Sequence, residues 1–275
     1  MNESKKYHRA QYLARFAYIG SNFYGVQEQP NFPTVLGAVR RRLESYARQP
    51  IKALAVSART DRGVHALENY ATFYLKDPVD SEQLVKNFEA SRDDGLYALS
   101  LRRVDYRVHA RGNARGKTYR YTIVDGCDEK ALGSDAFAWR VVPRLSIEAM
   151  SLAASHLVGL KDFSSLRGGG CQAQSPIKEI YSVSINRCSS GEILVEIHGG
   201  SFLRKMIRNM VGLLVEMGAS LRKPDSMIEI LEKKDRRAAG IMAPAHGLCL
   251  IRVELLLDGG LVRTSSPSSK IAWGL

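Results

Sequence analysis

The sequence predicts an α+β fold made of two units. The chain has 275 residues, which exceeds the roughly 100 to 150 residues of the commonest single domain. Apolar residues make up 45% of it and charged residues 25%, as in a globular protein with a substantial core. In each half of the chain, segments in which apolar and polar residues alternate, as in strands, are separated by segments with apolar residues at helical spacing. This shared pattern favours two units of the same topology.

The first half predicts the element order β-α-β-β-α-β. Apolar Val35, Val39 and Leu43 recur at helical spacing and predict a helix over 34–47. Asp80, with Gln83 three residues later, predicts a capping box for a second helix that ends near residue 90. The predicted strands cover 12–18, 52–56, 69–75 and 97–106. This order is that of a ferredoxin-like or RRM-like unit.

The second half is interpreted in the same way, although it shares no residue-level repeat with the first. Ser146 predicts the N-cap of a helix over 146–158, a Met-rich apolar face predicts a long helix over 201–217, and a shorter helix is expected over 225–233. The predicted strands cover 118–124, 181–185, 192–198 and 248–255.

Together the two units predict a largely antiparallel sheet with helices on one side and a central basic cleft. The expected domains are an N-terminal α+β domain over residues 1–110 and a C-terminal α+β domain over 111–258. A flexible tail is expected over 259–275, where the sequence is rich in serine.

The charge balance predicts a polyanionic partner. The chain carries 40 Lys and Arg against 28 Asp and Glu, for a net charge of +12. Such an excess favours nucleic acid or, alternatively, an acidic membrane surface. No uncharged run is long enough to span a bilayer as a helix, and the first residues lack the apolar region of a secretory signal. We therefore expect no membrane partner.

The cysteines and histidines predict no bound metal. Cys127, Cys171, Cys188 and Cys249 are widely spaced, without a CxxC pair. This spacing argues against both a zinc site and a disulfide framework. The six histidines also lack metal-binding spacing. A reducing, cytoplasmic compartment is the simplest expectation.

The richest basic segment, residues 102–121, favours contact with RNA. It holds six arginines and Lys117 against one aspartate, with Tyr119 and Tyr121 among its aromatic residues. A solvated surface is the alternative, but unstacked bases bind flat rings while their phosphates bind guanidinium groups. The GKT at 116–118 is no phosphate-binding loop, because Arg111 stands where the signature needs glycine and a strand follows.

Two further segments suggest substrate contacts. The loop over 164–175 contains three consecutive glycines, which predicts either a plain mobile loop or a cradle for a phosphate. In the helix predicted over 201–217, Arg204 and Arg208 lie one turn apart on one face. We expect Arg208 to be partly enclosed and therefore to need an acidic partner from elsewhere in the fold.

The stretch SARTDRGVHA, residues 57–66, places Asp61 between Arg59 and Arg62. An aspartate in a Gly-containing loop between two predicted strands is common turn chemistry. An ionised carboxylate flanked by arginines is also a candidate for catalysis, and both interpretations stay open at this point. His65 is expected either to orient this loop or to make a structural hydrogen bond.

Six stretches in the same order resemble the TruA-type tRNA pseudouridine synthases. The resemblance covers the chain from about Tyr12 to Leu255, and the second stretch is similar to the active-site segment usually written GRTDAGVHA. The stretches are AYIGSNFYGVQEQP, SARTDRGVHA, VHARGNARGKTYRYTI, DFSSLRGGGCQAQSP, SFLRKMIRNMVGLLVEMG and APAHGLCLIRVEL. Three positions depart from the family pattern. Val26 replaces Trp and Ala58 replaces Gly, which we interpret as packing adjustments, whereas Arg62 replaces Ala and adds a charge beside Asp61.

The resemblance implies an isomerase that converts uridine to pseudouridine in the tRNA anticodon stem-loop, at position 38, 39 or 40. It implies that Asp61 is the catalytic carboxylate, that Arg208 keeps it ionised, and that Tyr119 stacks on the target base. Arg59 corresponds to the residue that fills the space of the flipped uridine. The implied substrate-binding residues are Arg59, Arg111, Lys117, Tyr119, Gly169, Gly170, Cys171, Gln172 and Ala173.

The resemblance further implies a homodimer that binds tRNA and needs no metal or organic cofactor. Two alternatives remain at this stage. One is a non-catalytic tRNA-binding or chaperone protein of the same fold, which would not need Asp61, Tyr119 and Arg208 together. The other is a synthase of the same family that acts on other RNA uridines.

Overall fold

The computed structural model describes residues 10–89, 95–104, 107–131, 135–257 and 260–262. In these ranges the protein is an α+β structure whose strands pair mostly antiparallel, as predicted. The described residues gather into two compact units, residues 10–114 with 252–262 and residues 115–251. Because a compact unit is not necessarily an independently folding domain, the predicted domain limits stay a prediction. No helix in the described ranges has the length and apolar character needed to cross a membrane.

The first unit has the element order predicted for it. Its elements are β1 (Ala10–Tyr18), α1 (Val35–Ala47), β2 (Lys52–Val56), β3 (His65–Leu75), α2 (Ser81–Glu89) and β4 (Leu96–Val104). The strands lie in the order β4-β1-β3-β2, and each of these pairings is antiparallel. Val35, Val39 and Leu43 of α1 are buried, as their helical spacing predicts. The ferredoxin-like classification and the basic cleft stay predictions.

Both helices of the first unit begin at the predicted residues. The Thr34 hydroxyl accepts a hydrogen bond from the backbone N–H three residues later, at 3.3 Å. Asp80 accepts from the backbone N–H groups of Glu82 and Gln83, at 2.8 and 3.3 Å. The Gln83 side chain donates to Asn87 at 3.0 Å. Side-chain oxygens therefore satisfy the first N–H groups of each helix, which sets where it starts.

The second unit is built around a central helix. Its elements are β5 (Ala114–Val124), β6 (Trp139–Arg140), α3 (Ile147–Ser155), β7 (Gly159–Asp162), β8 (Ile177–Arg187), β9 (Ile193–Gly199), α4 (Met206–Gly218) and α5 (Ser226–Glu232). The order β5-β9-β8-β7 is antiparallel, and β6 pairs in parallel with β5. Every residue of α4 except Arg208 is buried. The predicted Ser146 cap is confirmed by its 3.1 Å bond from the Ala149 N–H.

Helix α4 begins five residues later than predicted. Residues 201–205 are not part of the α-helix, and Lys205 adopts a left-handed backbone with φ of 62°. The carbonyl of Arg204 instead accepts a hydrogen bond from the Gly168 N–H at 2.8 Å. The prediction that Arg204 and Arg208 share a helix face is therefore wrong, because this tertiary contact holds Arg204 outside the helix.

Three short strands were not predicted. Strands β6, β7 and β11 (Gly260–Val262) have two to four residues each, too few for an alternating pattern to be recognised. Strand β11 pairs with the end of β10 (Leu248–Leu257), so residues 260–262 are not the loose tail that was expected. Residues 259 and 263–275 of the predicted tail lie outside the described residues, as do residue 258 and the predicted helix and strand ends at 90 and 105–106.

A buried ion cluster around Asp125 stabilises the second unit. The Asp125 side chain is fully buried and accepts two hydrogen bonds from Arg187, at 2.7 and 2.8 Å. The Leu145 N–H donates a third at 2.7 Å, and Arg144 donates a fourth at 3.2 Å. Burial opposes ionisation, but the bonds from Arg187 and Leu145 outweigh it and hold the pKa of Asp125 below its ordinary value.

We expect Asp125→Asn to destabilise the protein by about 2 to 4 kcal/mol at neutral pH, because it leaves Arg187 without its charge partner. Because the pKa of Asp125 is lower in the folded protein than in the unfolded chain, Asp125 stabilises the fold at pH values above its unfolded pKa near 4. This stabilisation is lost as the pH falls through the pKa of the folded state. The difference in Tm between wild type and variant should therefore shrink below about pH 4. Thermal unfolding followed by circular dichroism measures the Tm of wild type and variant at each pH. A Tm difference that is the same at all pH values would contradict the stabilising role assigned to ionised Asp125.

Candidate active site

The loop between β2 and β3 carries Asp61 on a tight turn. The Val64 N–H donates to the Asp61 carbonyl at 3.2 Å, which closes the turn. Gly63 has φ of 82°, a conformation that glycine adopts without the steric cost of a side chain. Asp61 is half-buried, whereas Arg59 and Arg62 on either side are exposed. The turn interpretation of this aspartate is thus correct.

A buried network centred on Asn69 holds the loop in place. The Asn69 amide oxygen accepts from the Ser57 hydroxyl at 2.7 Å, and its nitrogen donates to the Ala58 carbonyl at 2.9 Å. The same nitrogen donates to the Tyr18 hydroxyl at 3.2 Å, which in turn is 2.9 Å from the Thr60 hydroxyl. These side chains are buried, so their hydrogen bonds are costly to break. The loop is therefore a preorganised support for Asp61.

The segment after β1 packs against this loop. Gly25 has φ of 92°, and a side chain there would approach the Thr60 carbonyl to 3.3 Å. The Val26 N–H donates to that same carbonyl at 3.3 Å. Val26 and Ala58 are buried, as their interpretation as packing adjustments requires. His65 accepts from the Gly20 N–H at 3.1 Å, a structural hydrogen bond of the kind that was one of its two expected roles.

Tyr119 and Lys117 lie on β5 of the second unit. Their strand partners on β9 are Ile197 and Gly199. The Tyr119 ring is buried and packs edge-on against Phe202, with the ring centroids 5.3 Å apart. Lys117 is half-exposed. This packing restricts the orientation of the Tyr119 ring.

Arg208 is the half-buried residue of the otherwise buried helix α4. Its Nε donates to the Ala243 carbonyl at 2.8 Å, and the Ala243 N–H returns a bond to the Arg208 carbonyl at 3.0 Å. Burial raises the pKa of Tyr121, and the positive charge of Arg208 opposes that rise. The prediction that Arg208 is partly enclosed is confirmed, while its pairing with a carboxylate stays a prediction.

Two arginines brace the glycine loop of the second unit. Arg167 donates to the carbonyls of Cys171 and Ala173, at 2.6 and 2.8 Å. Arg204 donates to the Gly169 carbonyl at 3.1 Å, and its N–H is 3.4 Å from the Cys171 sulfur. Burial opposes ionisation of this thiol, but hydrogen bonds from the Ala173 and Arg204 N–H groups outweigh it and lower its pKa. No pattern in the sequence predicted that Arg167 would hold this loop.

The predicted site residues are divided between the two units. Arg59, Asp61 and Arg111 belong to the first unit, and Arg111 is exposed on the turn before β5. The second unit contains the remaining predicted residues, which are Lys117, Tyr119, Gly169, Gly170, Cys171, Gln172, Ala173 and Arg208. Among the described residues, no group of three or more His, Cys, Asp and Glu side chains could hold a metal ion.

Comparison with known proteins identifies the family. A family model described as tRNA pseudouridine synthase matches residues 153–254. A protein named tRNA pseudouridine synthase A from Anaplasma phagocytophilum (strain HZ) is 40% identical over 249 residues, covering 88% of this chain and 99% of the relative. Proteins of the same name from Pseudothermotoga lettingae and Thermosipho africanus are 35% and 38% identical, each covering 88% of this chain and 98% of the relative.

Among solved structures, an unknown protein from Galdieria sulphuraria aligns with 70% of this chain and 81% of its own, at 9% identity and a TM-score of 0.22. That score is too low to support an argument about the fold. The sequence relatives are much closer, and their alignments run almost from end to end. The chain therefore belongs to the TruA-type family of tRNA pseudouridine synthases, which are isomerases.

Proposed function

We propose that this protein isomerises uridine to pseudouridine in tRNA. In this reaction the bond between N1 of the base and C1′ of the ribose breaks, and a bond between C5 and C1′ forms. N1 gains a proton and C5 loses one, so the product has the same atoms as the substrate and no oxidant is needed. The observation that carries the proposal is the preorganised loop, in which buried hydrogen bonds support the segment that contains half-buried Asp61.

Asp61 is the catalytic carboxylate of this proposal. A carboxylate suits the chemistry because it is ionised at neutral pH, can attack an electrophilic carbon and can leave again. Attack on the sugar, attack on the base and proton abstraction all start from the ionised form. The proposal therefore assigns the residue and leaves the order of the steps to experiment.

Tyr119 and Arg208 serve the same reaction. A flat ring restrained by Phe202 can stack on a flipped uracil and assist removal of the C5 proton, which is the role proposed for Tyr119. Arg208 supplies a positive charge that favours an ionised carboxylate. Its bond to the Ala243 carbonyl fixes the guanidinium, so this charge is held in one place.

The tRNA contacts are proposed for basic and loop residues of both units. Arg59 is exposed beside Asp61 and fills the space that the flipped uridine leaves, while Arg111 and Lys117 bind phosphates. The braced loop over residues 169–173 contacts the RNA backbone. The proposed target is the anticodon stem-loop, at position 38, 39 or 40, and the proposed assembly is a cytoplasmic homodimer.

The test is to map pseudouridines in total RNA from cells with and without this protein. Loss of pseudouridine at anticodon-arm positions of tRNA, restored by the gene in trans, is the expected result. Incubation of the purified protein with an unmodified tRNA transcript should form the same pseudouridines without any added cofactor. Tight tRNA binding with no pseudouridine formed would instead support the non-catalytic tRNA-binding alternative.

A further inference from the structure

Three flat side chains form a stack beside the Asp61 loop. The rings of Tyr24 and Phe32 are stacked with centroids 4.6 Å apart and planes 26° from parallel. The Arg62 guanidinium carbon lies 3.9 Å from the centroid of the Tyr24 ring. We call Phe32, Tyr24 and Arg62 the Tyr24 stack.

The segment that carries the two rings is held by several hydrogen bonds. The Tyr24 N–H donates to the Pro33 carbonyl at 2.8 Å, and Gln29 donates to the Tyr24 carbonyl at 2.8 Å. Glu28 accepts two bonds from Arg40 of α1, at 2.6 and 3.1 Å. The hydrogen bond from Arg40 lowers the pKa of Glu28. The rings are thus positioned by the fold before any ligand arrives.

The stack is open to solvent although it consists of large flat groups. Phe32 is 49% exposed, Arg62 is exposed, and Tyr24 is half-buried between them. Arg62 follows Asp61 directly in the chain, and the backbone at Gly25 packs against the Thr60 carbonyl. The stack therefore lies on the surface next to the proposed catalytic carboxylate.

We propose that the Tyr24 stack binds an unpaired nucleotide of the tRNA near the uridine that is modified. A nucleobase stacks on the exposed ring of Phe32, and Arg62, oriented by its contact with Tyr24, donates hydrogen bonds to a phosphate. Aromatic rings bind bases of any sequence, and a guanidinium binds phosphate oxygens through two parallel hydrogen bonds. This inference rests on the proposed function.

A purely structural stack is the alternative. An arginine over a tyrosine ring stabilises a protein surface without any ligand. In that case substitutions within the stack change the unfolding temperature and leave RNA binding unchanged. The two explanations are distinguished by measuring Tm, tRNA affinity and turnover on the same variants.

The experiment compares Phe32→Leu and Arg62→Ala with Arg41→Ala, which removes one exposed positive charge from helix α1 of the same unit. Fluorescence anisotropy gives the affinity for a tRNA transcript and for a double-stranded RNA of similar length. We expect Phe32→Leu to weaken tRNA binding at least about five-fold and to leave duplex binding unchanged, because the duplex offers no unpaired base. Phe32→Tyr keeps a flat ring at this position and should therefore bind tRNA with wild-type affinity.

Arg62→Ala should weaken tRNA binding more than Arg41→Ala does, since only Arg62 touches the phosphate. Turnover at saturating tRNA and the Tm should stay near wild type in the Phe32 and Arg62 variants. Wild-type affinity in Phe32→Leu, or equal losses in Arg62→Ala and Arg41→Ala, would overturn the proposal. Failure of the wild type to form pseudouridine would overturn the proposed function instead, and the two failures are distinct because binding and turnover are measured separately.

Discussion

Asp61→Ala is expected to reduce pseudouridine formation by at least about 10³-fold, while tRNA affinity stays within a few-fold of wild type. The substitution removes the proposed carboxylate but keeps the buried hydrogen bonds among Tyr18, Asn69 and Thr60 that support the loop. The RNA contacts proposed for the basic residues also remain. Single-turnover assays with a radiolabelled tRNA transcript measure the rate, and filter binding measures the affinity.

The matched control is Asp77→Ala, which removes another carboxylate from an exposed position of the same unit. It changes the net charge by the same amount, so any effect on RNA binding through overall charge appears in both variants. We expect full activity in Asp77→Ala. Substantial activity in Asp61→Ala would contradict the assigned role, and a large loss of tRNA affinity would show that Asp61 acts in binding.

Local chemistry made the helix starts and the Asp61 turn predictable from the sequence. Thr34, Asp80 and Ser146 cap their helices with side-chain oxygens that lie within three residues of the N–H groups they accept from. Asp61 likewise belongs to a turn closed by a residue three positions later. Because the interacting residues lie within three positions of each other, a short stretch of sequence contains the whole pattern and is enough to predict the contact.

Features set by contacts distant in the chain could not be predicted in this way. The start of α4 depends on the bond between Gly168 and Arg204, and the glycine loop depends on the same arginine. The Asn69 network joins three separate segments, and asparagine in an apolar strand gives no sign of its partners. The contact of Arg62 with Tyr24 also spans 38 residues of chain, which left the role of Arg62 unassigned from sequence alone.

Arg208→Leu is expected to lower the turnover of tRNA by about 10² to 10³-fold and to change tRNA affinity only a few-fold. Leucine fills much of the same space in helix α4, but it removes the fixed positive charge and the hydrogen bond to the Ala243 carbonyl. If the charge favours the ionised carboxylate during the reaction, its loss affects the chemical step more than binding. Arg208→Lys should recover part of the turnover, because lysine keeps the charge but loses the planar guanidinium.

The control for Arg208 is Arg222→Leu, which removes an arginine of the same unit that pairs with Glu216 near the end of α4. Both substitutions delete one positive charge and side-chain contacts from this helix region, so both are expected to lower the Tm. Only Arg208→Leu should lower turnover when the rates are measured at 25 °C on folded protein. Equal losses of turnover in the two variants would mean that Arg208 acts through the stability of α4. Unchanged turnover in Arg208→Leu would remove Arg208 from the catalytic set.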